Sequence, residues 1–130
     1  MTKPHDWINF AHEDLEVAEF ALEKGIYNQA CFHAQQAGEK CLKALLLYTE
    51  GKFPKTHSLT ELLMLASLKD DSLLGLKNDC LYLDQFYVPT RYPDAPLGSL
   101  PEGQPYKEDA KKAMEILAKI MKLITKKLSK

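Results

Sequence analysis

A chain of 130 residues with 45% hydrophobic and 27% charged side chains can bury a core of its own, and it has neither a disordered nor a fibrous composition. Its formal net charge of −1 excludes a general attraction to nucleic acid or anionic lipid, so contact with either needs a local patch. The opening residues MTKPHDW hold no apolar signal segment and no run is long enough to span a bilayer, so a cytoplasmic location is the expectation.

Asp6 is a candidate N-cap for a helix from Trp7 to Lys24, which Gly25 stops. At 100° per residue, Trp7, Ala11, Leu15, Ala18, Ala21 and Leu22 share one face. Asp14 falls inside that apolar arc, whereas Glu13, Glu16, Glu19 and Glu23 lie outside it. A second helix spans about Asn28 to Glu50 and ends at Gly51. Its narrow stripe of Ala30, Ala34, Ala37, Cys41, Ala44, Leu45 and Tyr48 is made mostly of small residues, which let a neighbouring backbone approach. Cys31, Gly38, Leu42 and Leu46 widen the apolar surface, as befits a central helix packed on more than one side. Gln35 sits within the widened part. That breadth also exceeds the needs of one four-helix core and points to a second copy of the chain.

Ser58 and Glu61 form a capping box for a short third helix with Leu59, Leu62, Leu63 and Ala66 inward. Asp71 or Ser72 opens a fourth, where Leu73, Leu76, Cys80, Leu83 and Tyr87 share a face. The last helix, about Tyr106 to Leu128, aligns Ala110, Ala113, Leu117, Ile120, Ile124 and Leu128 opposite a lysine-rich side. There is no strand pattern and no repeat. The expected fold is one all-α domain over residues 1–130, an antiparallel up-and-down bundle of four to five helices. Cys31, Cys41 and Cys80 make no C-x-x-C pair and read as core thiols.

One connection is long. Between Val88 and Pro105 the chain carries Pro89, Pro93, Pro96, Pro101 and Pro105, a density through which helix cannot propagate. Such loops are disproportionately functional, although a passive tether is the plain alternative. Arg91, in this loop, is the single arginine among 17 basic residues. Its planar fork can grip a phosphate or carboxylate with two hydrogen bonds, which lysine cannot reproduce. It is therefore the leading candidate for ligand contact, against a structural ion pair with Asp94 or Asp14. Tyr87 and Tyr92 flank it with rings able to stack on a base, although core filling accounts equally for Tyr87.

A carboxylate on an apolar face must be paired or neutralised, so Asp14 meets either Arg91 or polar groups of the second helix. His33, Gln36, Lys40 and Lys43 share a polar side of that helix, whose plain reading is a solvated face. His57 either donates to a phosphate or caps local backbone, and His5 and His12 read as surface residues. The histidines show no metal-ligand spacing, and phosphate-cradling glycine loops and G-x-S-x-G elbows are absent, so neither metal nor cofactor is expected.

The run from Ala30 to Ala44, ACFHAQQAGEKCLKA, resembles the second-helix signature of HEPN domains. Thr56-His57-Ser58-Leu59 and the stretch Tyr87 to Ala95, YVPTRYPDA, look like two further blocks of one prokaryotic HEPN branch, and Glu13-Asp14-Leu15 with Ala18 is similar too. The resemblance implies a four- or five-helix bundle, usually dimeric, with a cleft near the dimer interface. Relatives of this kind are often encoded beside a minimal nucleotidyltransferase, as half of a toxin–antitoxin-like pair. Many are metal-independent ribonucleases with an R-x(4–6)-H motif, and others bind nucleotides. Here no histidine follows His57, so Arg91 matches only through its Arg-Tyr-Pro-Asp block. The reading that results is a nucleotide- or RNA-binding module in which Arg91, Tyr92, Asp94, Asp14, Gln36 and Lys40 form the site. Its rivals are a ribonuclease using Arg91 with His57 or Asp14, and a purely structural interaction partner.

Overall fold

The computed structural model describes residues 2–87 and 104–129. Five α-helices and no strand occur among them, in the expected antiparallel bundle: α1 (Pro4–Glu23), α2 (Tyr27–Glu50), α3 (Leu59–Ser67), α4 (Lys77–Asp84) and α5 (Lys107–Leu128). None of these helices is long and apolar enough to cross a membrane.

Three boundaries differ from the sequence reading, each for a local reason. α1 starts at Pro4, whose fixed φ suits a first helical turn, so Asp6 is not the N-cap. Its carboxylate instead reaches back to the Lys3 backbone N–H at 2.8 Å. The fourth element opens as a 3₁₀ helix, Asp71–Leu76, capped by the Asp70 side chain, which accepts from the Ser72 N–H. α-Helical geometry begins only at Lys77, beyond Gly75, a poor helix former. α4 then ends before Tyr87, so that ring does not continue the helix's apolar stripe. Phe86 fills the core there, and Tyr87 is left half-buried in the following turn. The stops at Gly25 and Gly51 are as expected: both glycines take left-handed φ, near +77° and +78°, which an L side chain rarely adopts.

α2 is the axis of the molecule and contacts α1, α3, α4 and α5. Ala30, Ala34, Ala37, Cys41 and Ala44 are fully buried, as are Ala11 and Ala18 on α1 and Ala110 and Ala113 on α5. Alanine against alanine brings these backbones close. The apolar surplus of α2 is covered inside the chain, while the exposed apolar side chains of α1 are Phe10, Val17 and Phe20. The cysteines are free and buried, as expected. Burial pushes each thiol up to about 12, which keeps them protonated and inert.

Gly38 marks the tightest approach. A Cβ there would lie 2.7 Å from Cδ2 of Leu59 and 3.5 Å from Cδ1 of Leu83. Leu59 is fully buried, so its methyl can yield only by disturbing the packing around it. Gly38→Ala is therefore expected to destabilise the fold by about 1–3 kcal/mol, despite alanine's better helix propensity, measured as a lowered urea midpoint at unchanged m-value.

Candidate functional site

The functional side chains gather along one edge of α2, where α1, α3 and the turn after α4 converge. A row of polar residues one turn apart, Gln35, Glu39 and Lys43, lies on that edge, and all three are buried. A helix enclosed this far cannot leave amide or charged groups unmatched. Each accordingly finds a partner. Gln35 Nε2 donates to the His57 carbonyl at 2.7 Å, and Gln36 Nε2 donates to Gln35 Oε1 at 2.7 Å. Lys43 Nζ donates to Glu39 Oε2 at 2.8 Å, and His57 Nδ1 lies 3.2 Å from Glu39 Oε1. Lys43 also covers the rings of Phe53 and Trp7, at 5.3 and 5.8 Å from their centroids.

A second carboxylate repeats the pattern. Asp14, buried on α1, takes His33 Nδ1 on one oxygen at 3.0 Å and the Lys40 ammonium on the other. Of the two partners open to Asp14 from the sequence, the described structure supplies the polar groups of α2. Burial pushes its carboxyl up, but hydrogen bonds and charges from His33 and Lys40 outweigh this, so its pKa lies below the ordinary value. The side of α2 read as solvated is thus corrected: Lys43 is buried, and His33 and Lys40 are held half-buried on Asp14. Four rings connect the two clusters. His33 meets Phe32 edge-on at 5.3 Å, Phe32 faces Tyr87 at 6.2 Å, and Tyr87 stacks on His57 at 4.7 Å with 15° between planes.

His57 owes its position to Asp84, the last residue of α4. That carboxylate accepts from the Leu59 N–H at 2.7 Å, the Thr60 N–H at 3.0 Å, the Thr60 hydroxyl at 2.7 Å and the Ser58 hydroxyl at 3.2 Å. It satisfies the free N–H groups of the first turn of α3 and places negative charge at the positive end of the helix dipole. Ser58 supplies the expected cap, its hydroxyl accepting from the Glu61 N–H at 3.1 Å. The chain just before α3 is fixed from both sides, and His57 stands on it.

Of the residues singled out from sequence, the structure unites Asp14, Gln36, Lys40 and His57 around this edge. Arg91, Tyr92 and Asp94 lie outside the described residues. His5 and His12 are exposed, as expected. Among the described residues, no group of three His, Cys, Asp or Glu could hold a metal ion. Glu39, Asp84 and the stacking of Tyr87 escaped the sequence reading. For Glu39 a signal existed: it sits one turn beyond Gln35, the amide noted inside the apolar arc, and one turn before Lys43. Electrostatically the two carboxylates balance Lys40 and Lys43, so with neutral imidazoles this edge draws no anion by itself.

A family model described as the HEPN domain matches residues 4–128. A curated protein of Methanocaldococcus jannaschii, described as a "putative toxin", is 29% identical over 127 residues, covering 91% of this chain and 83% of its own. A crystal structure of a protein from Thermus thermophilus superposes with a TM-score of 0.80 at 35% identity, covering 98% of this chain and 99% of that one. An archaeal HEPN homologue superposes with a TM-score of 0.76 at 31% identity, covering 98% of both chains.

Folding lowers the pKa of Asp14, so the unfolded chain holds that proton more tightly. The stabilisation from its ion pairs is complete above the ordinary carboxylate range and disappears as pH falls through the folded pKa. Asp14→Asn is expected to remove about 1–3 kcal/mol at neutral pH and to flatten the acid limb below about pH 4, as read from urea melts across that range.

Proposed function

The chain belongs to the HEPN domain family, and on that premise we propose that it is a nucleotide- or RNA-binding module acting in a toxin–antitoxin-like pair. The observation that carries this reading is the imidazole of His57. Its side chain is 59% exposed, yet a buried carboxylate and a stacked tyrosine hold it, and a buried amide holds the backbone carbonyl of the same residue. Arg91 would hold the phosphate, with Tyr92 and Asp94 beside it. Arg91 follows Tyr87 by four residues, at most about 14 Å of extended chain. Asp14, Gln36 and Lys40 stiffen the edge of α2 on which the ligand would rest. The relative described as a putative toxin supports a toxin–antitoxin setting. The protein would act as a homodimer, joined through the exposed Phe10, Val17 and Phe20 of α1, with a minimal nucleotidyltransferase as its partner.

The paired Glu39 and His57 also favour a second reading, metal-independent ribonuclease action with His57 as the displaced general base. Cleavage of labelled RNA in chelator that stops in both Arg91→Ala and His57→Ala would support it, and no cleavage by wild type excludes it.

For the binding reading, titration of nucleotides and short RNAs is expected to show a roughly tenfold to hundredfold weaker complex for Arg91→Ala. Equal binding by both proteins removes the role given to Arg91. Light scattering of the free protein is expected to give twice the chain mass of 14.8 kDa, and a monomer at micromolar concentration contradicts the dimer.

A further inference from the structure

At one end of the bundle, the first turn of α1, the last turn of α5 and Tyr48 of α2 border a cleft of about 510 Å³. That volume is in the range that holds a small organic molecule. Its walls are mostly apolar, with Pro4, Tyr48 and the two core-edge side chains Ile8 and Leu128. The polar lining is Lys3, His5, Thr125 and Ser129, and no Asp or Glu is part of it. Most of that lining already has its hydrogens committed. The Thr125 hydroxyl donates to the Met121 carbonyl at 2.7 Å, and the Ser129 hydroxyl to the Lys126 carbonyl at 2.8 Å. His5 Nε2 lies 3.5 Å from a carboxylate oxygen of Asp6, whose other oxygen takes the Lys3 backbone N–H at 2.8 Å. The Lys3 ammonium makes no ion pair among the described residues. An apolar cleft is thus left with one charged donor at its rim, and a lysine ammonium can only donate.

We propose that this cleft binds a small amphiphilic anion, a carboxylate on a single alkyl chain, with Lys3 holding the head and Ile8, Tyr48 and Leu128 covering the chain. The donor inventory selects the head. Lysine repels a cation, and a carboxylate gives it a charge-assisted acceptor that a neutral hydroxyl cannot match. The helix ends set the direction. Lys3 and Pro4 stand at the positive end of the α1 dipole, whereas Leu128 and Ser129 lie at the negative end of α5. The head therefore lies toward α1 and the chain toward α5. None of the residues that line this cleft belongs to the edge around His57, so the site stands apart from the nucleotide-binding reading.

Decanoate titrated into the full chain, followed by methyl NMR, is expected to shift the signals of Ile8 and Leu128. Affinity is expected to rise roughly twofold to fourfold per methylene through butyrate, hexanoate, octanoate and decanoate, as a chain covered by apolar walls requires. Decyltrimethylammonium, with the same chain and the opposite head, is expected to bind roughly threefold to tenfold more weakly than decanoate. Lys3→Gln changes an exposed side chain ahead of α1 and leaves the core as it is. It is expected to weaken decanoate by the same roughly threefold to tenfold factor and to remove the preference between heads. Lys122→Gln, at an exposed lysine that does not line the cleft, is expected to change neither. The proposal is overturned if decanoate moves neither methyl signal, if wild type binds both heads equally, or if affinity is independent of chain length. A head preference that survives in Lys3→Gln, or that Lys122→Gln abolishes equally, overturns it too.

Discussion

α2 is enclosed by four other helices, and a helix in that position can keep polar side chains only if each one is answered from its surroundings. Gln35, Glu39 and Lys43 meet this demand in one continuous chain of contacts that runs from the Trp7 and Phe53 rings, through the ion pair, to the carbonyl and ring of His57. The row is thus more than tolerated burial: it joins the start of α1, the linker before α3 and the turn after α4 to one helix. Replacing the row with leucines would satisfy packing equally well. What leucine could not do is fix a polar ring at the surface in a defined orientation.

Two carboxylates from different elements brace the surroundings of this edge. Asp84 holds the N-terminal turn of α3 through four hydrogen bonds, and Asp14 ties α1 to α2 through His33 and Lys40. Backbone approach allows both. Gly38 admits Leu59 at a distance where a Cβ would clash, which lets the first turn of α3 descend onto α2 near Glu39. Packing at Leu59 and capping by Asp84 thus act on the same first turn of α3, the one that follows His57.

Features determined within one or two helical turns were legible in the amino-acid sequence. The Ser58 cap, the stops at Gly25 and Gly51, and the alanine stripe of α2 depend on neighbours in the chain, and the bundle follows from them, although Glu61 takes the Thr56 hydroxyl instead of closing a capping box on the Ser58 N–H. Asp14 was conspicuous because a charge interrupted an apolar arc. Glu39 was hidden because Glu-Lys-Cys-Leu-Lys reads as ordinary helix surface until α1 and the His57 linker close over it. Asp84 was hidden because its partners lie 24 to 26 residues earlier in the chain. Pro4 and Gly75 shifted helix starts by local backbone preference where the apolar periodicity is silent. Arg91, Tyr92 and Asp94 stand out by composition alone, and their part in the site rests on chemistry and chain proximity.

The sealed thiols have a consequence for watching this molecule move. Cys31, Cys41 and Cys80 are each 0% exposed, one near the start of α2, one at its middle and one in α4. A sulfhydryl reagent can reach them only after the surrounding helices part. Its rate of reaction with each sulfur is therefore a local gauge of breathing, read at native cysteines without any substitution.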